Sequence, residues 1–211
     1  MRHPIFARLQ ERLSRAMEKE LGEHRDELLA GLTGRAVEIG AGNGMNFGHY
    51  PAVVEEVVAL EPEPYLRDKA ERAGRDASVQ VSLRNGVANR LPLEDAGFDA
   101  AVASTVPDPD AALAELRRVL KPDGELCFLE HIRSDRPRKA RVQKRLDRSG
   151  VWPRVAGGCH SARDTVNAIA AAGFQIDRGR TLDVGPSWTY TSLHELGRAR
   201  APEPPRAAAA P

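Results

Sequence analysis

Cysteine is scarce: Cys127 and Cys159 are the two thiols of 211 residues, too few and too far apart for a disulfide framework or a zinc cluster. No apolar run is long enough to span a bilayer and no secretory h-region is seen, so no transmembrane segment is expected and the default address is cytoplasmic. Net charge is almost lacking: +1 overall gives no bulk attraction to nucleic acid or membrane, so any basic partner surface has to be local. There is no internal repeat. The remainder is ordinary soluble material, 41% hydrophobic and 29% charged, with room for one domain and a substantial core.

One stretch carries ligand chemistry: Arg35 to Gly48, RAVEIGAGNGMNFG. Val37 and Ile39 have strand character. Gly40, Gly42 and Gly44 then remove side chains where the chain must turn, which lets backbone approach a bound molecule and take positive φ. Glu38 precedes the turn. About twenty residues on, the apolar run Val57 to Leu60 ends in Glu61 and Pro62. A strand, a glycine turn, a helix and a second strand tipped with an acid frame a Rossmann-like nucleoside site, the acid taking ribose hydroxyls. A dinucleotide fingerprint needs G-x-G-x-x-G, but here the third glycine comes one place early and Met45 stands in its position. Glu38 would also repel a pyrophosphate, whereas it suits a cationic ligand. An oxidoreductase is therefore disfavoured, and a purely structural glycine turn is the bland alternative.

Strands and helices alternate around this stretch, which implies a parallel sheet covered on both faces. Pro4 to Leu32 has Ile5, Leu9, Leu13, Met17 and Leu21 at helical spacing, predicting one or two amphipathic helices broken near Gly22. Such a face packs on the domain or, alternatively, dips Ile5, Phe6 and Leu9 into a membrane surface, a weak peripheral contact. Next come a helix over Tyr65 to Ala73, a strand over Val79 to Leu83, turns at Leu91–Pro92 and Asp95–Gly97, and a buried strand over Phe98 to Ala103. A helix capped by Asp108 or Asp110 runs to Leu120 and is stopped by Pro122 and Gly124, before a strand over Glu125 to Ile132. Arg133 to Arg148 holds eight Lys or Arg against two Asp, either a solvated face or a site for an anionic partner. Ser161, with Asp164, is expected to cap a helix through Ala172. Phe174 to Leu182 and Trp188 to Arg200 close the sheet, and the Pro/Ala tail from Ala201 is expected to be disordered.

E-x-G-x-G-x-G at Glu38 to Gly44 resembles motif I of class I S-adenosylmethionine (AdoMet) methyltransferases. LPLEDAGFDAAVAS resembles the run leading into the strand at Phe98, and LAELRRVLKPDGEL resembles the helix and turn before the following strand. HPIFARL, FLEH and GGCHSARDT are similar to segments in bacterial relatives of the methyltransferase-like 7 group, whose animal members are described as alkyl thiol methyltransferases with an apolar membrane anchor not seen in this sequence. The resemblance implies a Rossmann-like α/β fold. Its sheet would be mostly parallel and seven-stranded, with helices on both faces and an antiparallel closing strand. It also implies a methyltransferase domain over 34–200, a helical segment over 1–33 packed on it, and a tail over 201–211. It implies S-adenosyl-L-methionine as cofactor: Glu38, Gly40, Ala41 and Gly42 at its amino-acid end, Glu61 on the ribose, and Gly86, Val87, Ala88 and Asn89 beside the adenine, with Asn46, Pro62 and Ser104 in the binding set. Two departures stand out. STVPDPD is shorter than the family's usual loop between the strand at Phe98 and the next helix, so either that loop is rebuilt around Ser104 and Thr105 or catalysis is impaired. PDG also replaces the common PGG, a smaller change because Asp can adopt turn conformations at modest cost.

Methyl transfer from a sulfonium is a displacement in which alignment is worth roughly 7–11 kcal/mol. A thiol or amine acceptor must still lose a proton. His131, at the end of a strand where open α/β sheets bind ligands, is the base candidate; its alternative role is a structural imidazole. His160 ranks below it, and Cys159 reads as buried rather than nucleophilic. The expected activity is methyl transfer to a small, apolar molecule bearing sulfur, nitrogen or oxygen. The alternative is an AdoMet-binding protein that lost turnover through the short loop. No nucleic-acid substrate is expected, since no N-P-P-Y-like amine-methylation motif is present.

Overall fold

The computed structural model describes residues 4–103, 109–150, 160–184 and 192–202, with side chains from Ala7 onward. Two helices, α1 (Pro4–Ala16) and α2 (Glu18–Leu29), lead into strand β1 (Gly34–Ile39). There follow β2 (Val54–Leu60), α3 (Pro64–Arg75), β3 (Gln80–Arg84), β4 (Phe98–Ala103), α4 (Pro109–Val119), β5 (Leu120–His131), α5 (Pro137–Ser149), α6 (Thr165–Ala171), β6 (Gln175–Asp183) and β7 (Leu193–Arg200). The strands form one seven-stranded sheet in the order β3-β2-β1-β4-β5-β7-β6. β1 to β5 pair in parallel, and β7 runs antiparallel to both its neighbours. This is the Rossmann-like methyltransferase architecture that the resemblance implied.

The central strands are rich in Val and Ala and buried on both faces, as parallel strands sandwiched between helices must be. Side chains alternate between two cores. Val37, Ile39, Val58, Leu60, Ala101, Leu126 and Phe128 meet Leu113, Leu116 and Val119 of α4 and Ile169 of α6. Ala36, Val57, Ala59, Ala100, Val102 and Cys127 face the opposite way and share a core with Leu21, Leu28 and Leu29 of α2. Among the described residues no helix is long and apolar enough to cross a membrane.

Several local expectations are corrected. The N-terminal helices part at Met17 rather than near Gly22: the Glu20 N–H turns back to the Met17 carbonyl at 3.0 Å, and Gly22 lies inside α2. A mid-helix glycine costs about 1 kcal/mol, which the burial of Leu21, Leu28 and Leu29 offsets. Asp110 lies in the first turn of α4 instead of capping it, since the helix begins at Pro109; Asp108 lies outside the described residues. Strand β5 starts at Leu120, with a register shift between Phe98 and Ala100 where Asp123 takes a positive φ of 59°. Asp164, not Ser161, caps α6 by accepting from the Asn167 N–H. Ser161 is engaged elsewhere, its N–H and hydroxyl both on Asp147 Oδ1 of α5. Ala201 is buried and donates its N–H to the Gly124 carbonyl at 2.8 Å, so packing continues past Arg200. Trp188, Cys159 and the tail from residue 203 lie outside the described residues.

Candidate cofactor and active site

Strand order reverses between β1 and β4, and the crevice at the carboxyl ends of strands flanking such a reversal is where open α/β sheets bind ligands. The glycine turn leaves β1 there. Gly40, Gly42 and Gly44 have φ of 72°, 58° and 80°, values that an L side chain resists. The turn is tied to β2 by the Gly40 and Ala41 N–H groups, which both donate to the Leu60 carbonyl at 2.9 and 3.1 Å. Above Gly42 there is room: a Cβ built there meets nothing nearer than Gln10 Nε2 at 3.9 Å and the Gly40 carbonyl oxygen at 4.0 Å. Gly44 differs, its Cβ position lying 2.8 Å from the Phe47 ring and 2.9 Å from Ala73 Cβ, so it is needed for packing.

Two carboxylates flank the turn. Glu61 accepts from the Gly42 N–H at 2.8 Å with one oxygen and from the Glu63 N–H at 2.8 Å with the other. Burial raises its pKa above the usual carboxylate range, opposed by those two backbone donors. Glu38 is only 2% exposed. Its Oε1 accepts from Asn46 Nδ2 and its Oε2 from the Tyr50 hydroxyl, each at 2.9 Å. Burial pushes the carboxyl up to about 7, against the pull of Tyr50, Asn46 and the more distant Arg25 guanidinium. Arg25 reaches down from α2 to donate to Asn46 Oδ1. From α1, the Ser14 hydroxyl lies 3.1 Å from Asn43 Oδ1. The two N-terminal helices therefore hold the turn from above.

Glu38, Gly40, Ala41, Gly42, Asn46 and Glu61 thus come together around one turn. The Pro62 carbonyl accepts from Arg67 Nη1 at 3.3 Å beside them. Gly86, Val87 and Ala88 follow the carboxyl end of β3, and Gly86 packs so closely on the Leu60 side chain that no Cβ fits. Ala88 is buried and Val87 is half exposed. Ser104 lies outside the described residues. His131 ends β5 two strands from β1, at the same carboxyl end of the parallel strands. His160 stands apart, half-buried near Asp147 of α5, and burial lowers its pKa. Cys127 lies inside the sheet, where burial pushes its thiol up to about 12.

Three residues were not singled out from sequence. Tyr50 meets Glu38 only because the chain curls back through the short helical turn Phe47–His49, and no spacing signals that. Arg25 did leave a signal: with Leu21, Leu28 and Leu29 it is one of the buried residues of α2, a charge interrupting the apolar stripe. His194 of β7 is paired in register with His131, and their ring centroids lie 4.2 Å apart with planes at 44°.

A family model described as a methyltransferase domain matches residues 37–128, which take in the glycine turn, both carboxylates and β5 through Phe128. The chain is 28% identical over 170 residues to thiol S-methyltransferase TMT1B of Rattus norvegicus, covering 77% of this chain and 69% of that one. It is 26% identical over 206 residues to the Homo sapiens protein of the same name, covering 92% and 84%. Among solved structures, a SAM-dependent methyltransferase from Methanosarcina mazei superposes with a TM-score of 0.59 at 19% identity, over 81% of this chain and 93% of that one. The fold, the acid-flanked glycine turn and these likenesses agree on a class I S-adenosylmethionine-dependent methyltransferase related to the methyltransferase-like 7 group.

Proposed function

We propose that the chain methylates a small, apolar thiol, with amines and hydroxyls as the other acceptor classes to test, and that His131 receives the acceptor's proton. The observation that carries the proposal is the placement of an imidazole pair, His131 and His194, at the end of the sheet that also bears the acid-flanked glycine turn. The acceptor class is further supported by the two mammalian relatives, which are named thiol S-methyltransferases.

The residues present fit the cofactor. S-Adenosylmethionine carries an activated methyl group on a cationic sulfonium, and two buried carboxylates beside a turn with open space above Gly42 suit a cationic nucleoside. In this reading Glu61 and Pro62 lie along the ribose, and Gly86, Val87 and Ala88 border the base. Gly40, Ala41 and Gly42, with Asn46 and Glu38 behind them, form the floor of the amino-acid end, and Ser104 completes the set. Glu38 acts through charge: both its oxygens already accept hydrogen bonds, so it adds a buried negative potential rather than a direct grip. The helices of 1–33 close over the turn, and the chemistry belongs to 34–200.

The chain's own work is alignment, exclusion of water and proton removal. An alkyl thiol is almost wholly protonated at neutral pH, since even the more acidic cysteine side chain has a pKa near 8.5, so a nearby base raises the fraction of the reactive thiolate. A positioned base contributes about 10²–10⁴-fold. Calorimetry with S-adenosylmethionine, followed by transfer assays on an alkyl thiol, an alkyl amine and an alkanol, tests the proposal. Binding with faster turnover of the thiol is expected; faster turnover of the amine would overturn the acceptor assignment. Heat of binding without product from any acceptor would favour a binding protein whose short connection after β4 has cost it turnover.

A further inference from the structure

We propose that His194 is a positioning residue for His131: it sets the ring's place and keeps a neutral aromatic face beside the proton that His131 takes up. The role rests on His131 being the proton acceptor of the proposed reaction.

Directly opposed residues of antiparallel strands project to the same face of the sheet. The register β5·β7 pairs His131 with His194, which is why their rings meet at 4.2 Å. His194 is 5% exposed, and its Nδ1 lies 3.0 Å from the Ser192 carbonyl oxygen. A carbonyl can only accept, so Nδ1 carries the hydrogen and the tautomer is set, with the lone pair on Nε2. The charged form of His194 is disfavoured first by burial and then by Arg25 and His24 of α2; the Ser192 carbonyl and Asp183 of β6 pull the other way. Lys139 of α5, 3.3 Å from the Ser192 hydroxyl, adds positive charge close by.

The consequence is an asymmetric pair. His194 stays neutral, so His131, the more exposed of the two, is the ring that takes charge. With ring centroids 4.2 Å apart, a neutral neighbour spares His131 the like-charge repulsion that a second imidazolium would impose, and its polar ring accommodates the charge better than an apolar side chain would. In the transfer step the acceptor's S–H bond breaks. Its proton passes to His131 and its electron pair forms the new S–CH3 bond, while the donor's sulfonium–methyl bond breaks with its pair left on the donor sulfur.

The test uses the full chain and two kinds of readout. Imidazole ¹⁵N NMR of the free protein is expected to show His194 as the neutral Nδ1–H tautomer throughout the pH range over which His131 titrates; a His194 that charges before His131 overturns the proposal. Steady-state transfer to hexanethiol is then compared for wild type, His194→Leu, His194→Asn and His131→Asn. His194→Leu is expected to lower kcat on the order of tenfold, below the 10²–10⁴ that a base itself contributes, with KM and S-adenosylmethionine affinity held within about twofold. The acid limb of its kcat profile moves to lower pH, because an apolar side chain beside His131 accommodates its charged form less well than a neutral imidazole does. The defect shrinks in alkali, where the thiol ionises unaided. His194→Asn can keep a donor to the Ser192 carbonyl but not the ring, so it should resemble His194→Leu; a full return of rate and profile would show a merely structural hydrogen bond and sink the idea. If His131→Asn is impaired while His194→Leu matches wild type, only this proposal fails. If His131→Asn matches wild type, the base assignment fails and the positioning role falls with it.

Discussion

Replacing Glu38 by Gln separates the carboxylate's effect on folding from its effect on ligand binding. Glu38 is buried with its pKa raised from 4.5 to about 7 by desolvation. A carboxyl whose folded-state pKa is raised binds more protons when folded than when unfolded, so its contribution is fully present below about pH 4.5 and is lost as pH rises through about 7. At about 1.4 kcal/mol for each tenfold change, that interval is worth about 3 kcal/mol. Gln is close in shape to the protonated acid and has no charge to bury. It keeps one oxygen to accept, while its amide nitrogen can face the Tyr50 oxygen. The ligand-free variant is therefore expected to match wild type in acid and to be more stable by about 3 kcal/mol above pH 8. Urea unfolding at a series of pH values, followed by tryptophan fluorescence and circular dichroism, measures this. A cationic cofactor favours the ionised acid, so wild-type affinity for S-adenosylmethionine should rise as pH climbs towards about 7 and level off above it, whereas Glu38→Gln binds more weakly with little pH dependence. Equal stability of the two proteins at high pH would refute the buried-charge argument, and equal affinity would remove Glu38 from the site.

Other expectations follow from single contacts. Gly42→Ala carries only the left-handed backbone cost, about 1–2 kcal/mol, and should fold yet bind S-adenosylmethionine about tenfold more weakly, because its methyl enters the open space above the turn; unchanged affinity in calorimetry would place the cofactor elsewhere. Gly44→Ala adds overpacking against Phe47 and Ala73, about 1–3 kcal/mol more, so it should melt well below Gly42→Ala. Glu61→Ala strands the Gly42 and Glu63 N–H groups and should cost about 100-fold in cofactor affinity, near 3 kcal/mol; calorimetry showing wild-type binding would contradict the ribose assignment. Cys127, buried with its thiol pushed up to about 12, should resist iodoacetamide at neutral pH until the chain unfolds, as peptide mass mapping can follow.

Local chemistry was legible where a residue's role depends on its immediate neighbours. A run of small and β-branched residues makes a buried strand wherever it sits, so β1, β2 and β4 could be read directly, β4 to its exact ends. Positive φ favours glycine whatever packs around it, so the turn at Gly40, Gly42 and Gly44 was visible too. Helix ends were read less well, because several residues could cap and only distant partners choose among them. Ser161 was a good candidate until Asp147, fourteen positions earlier, bonded it. Met17 could break the N-terminal helices only once the burial of Leu21 had carried Gly22 into α2.

The sequence by itself determined that this chain makes a parallel α/β sheet with a side-chain-free bend between two acids, because hydrophobic period and glycine conformation are properties of adjacent residues. Only the tertiary structure decided which groups those acids meet. Arg25 reaches Asn46 across 21 positions, Tyr50 reaches Glu38 across 12, and His194 meets His131 through an antiparallel pairing. Each of those contacts depends on strand order and register, which are settled by the burial of whole faces at once and not by any one stretch of residues.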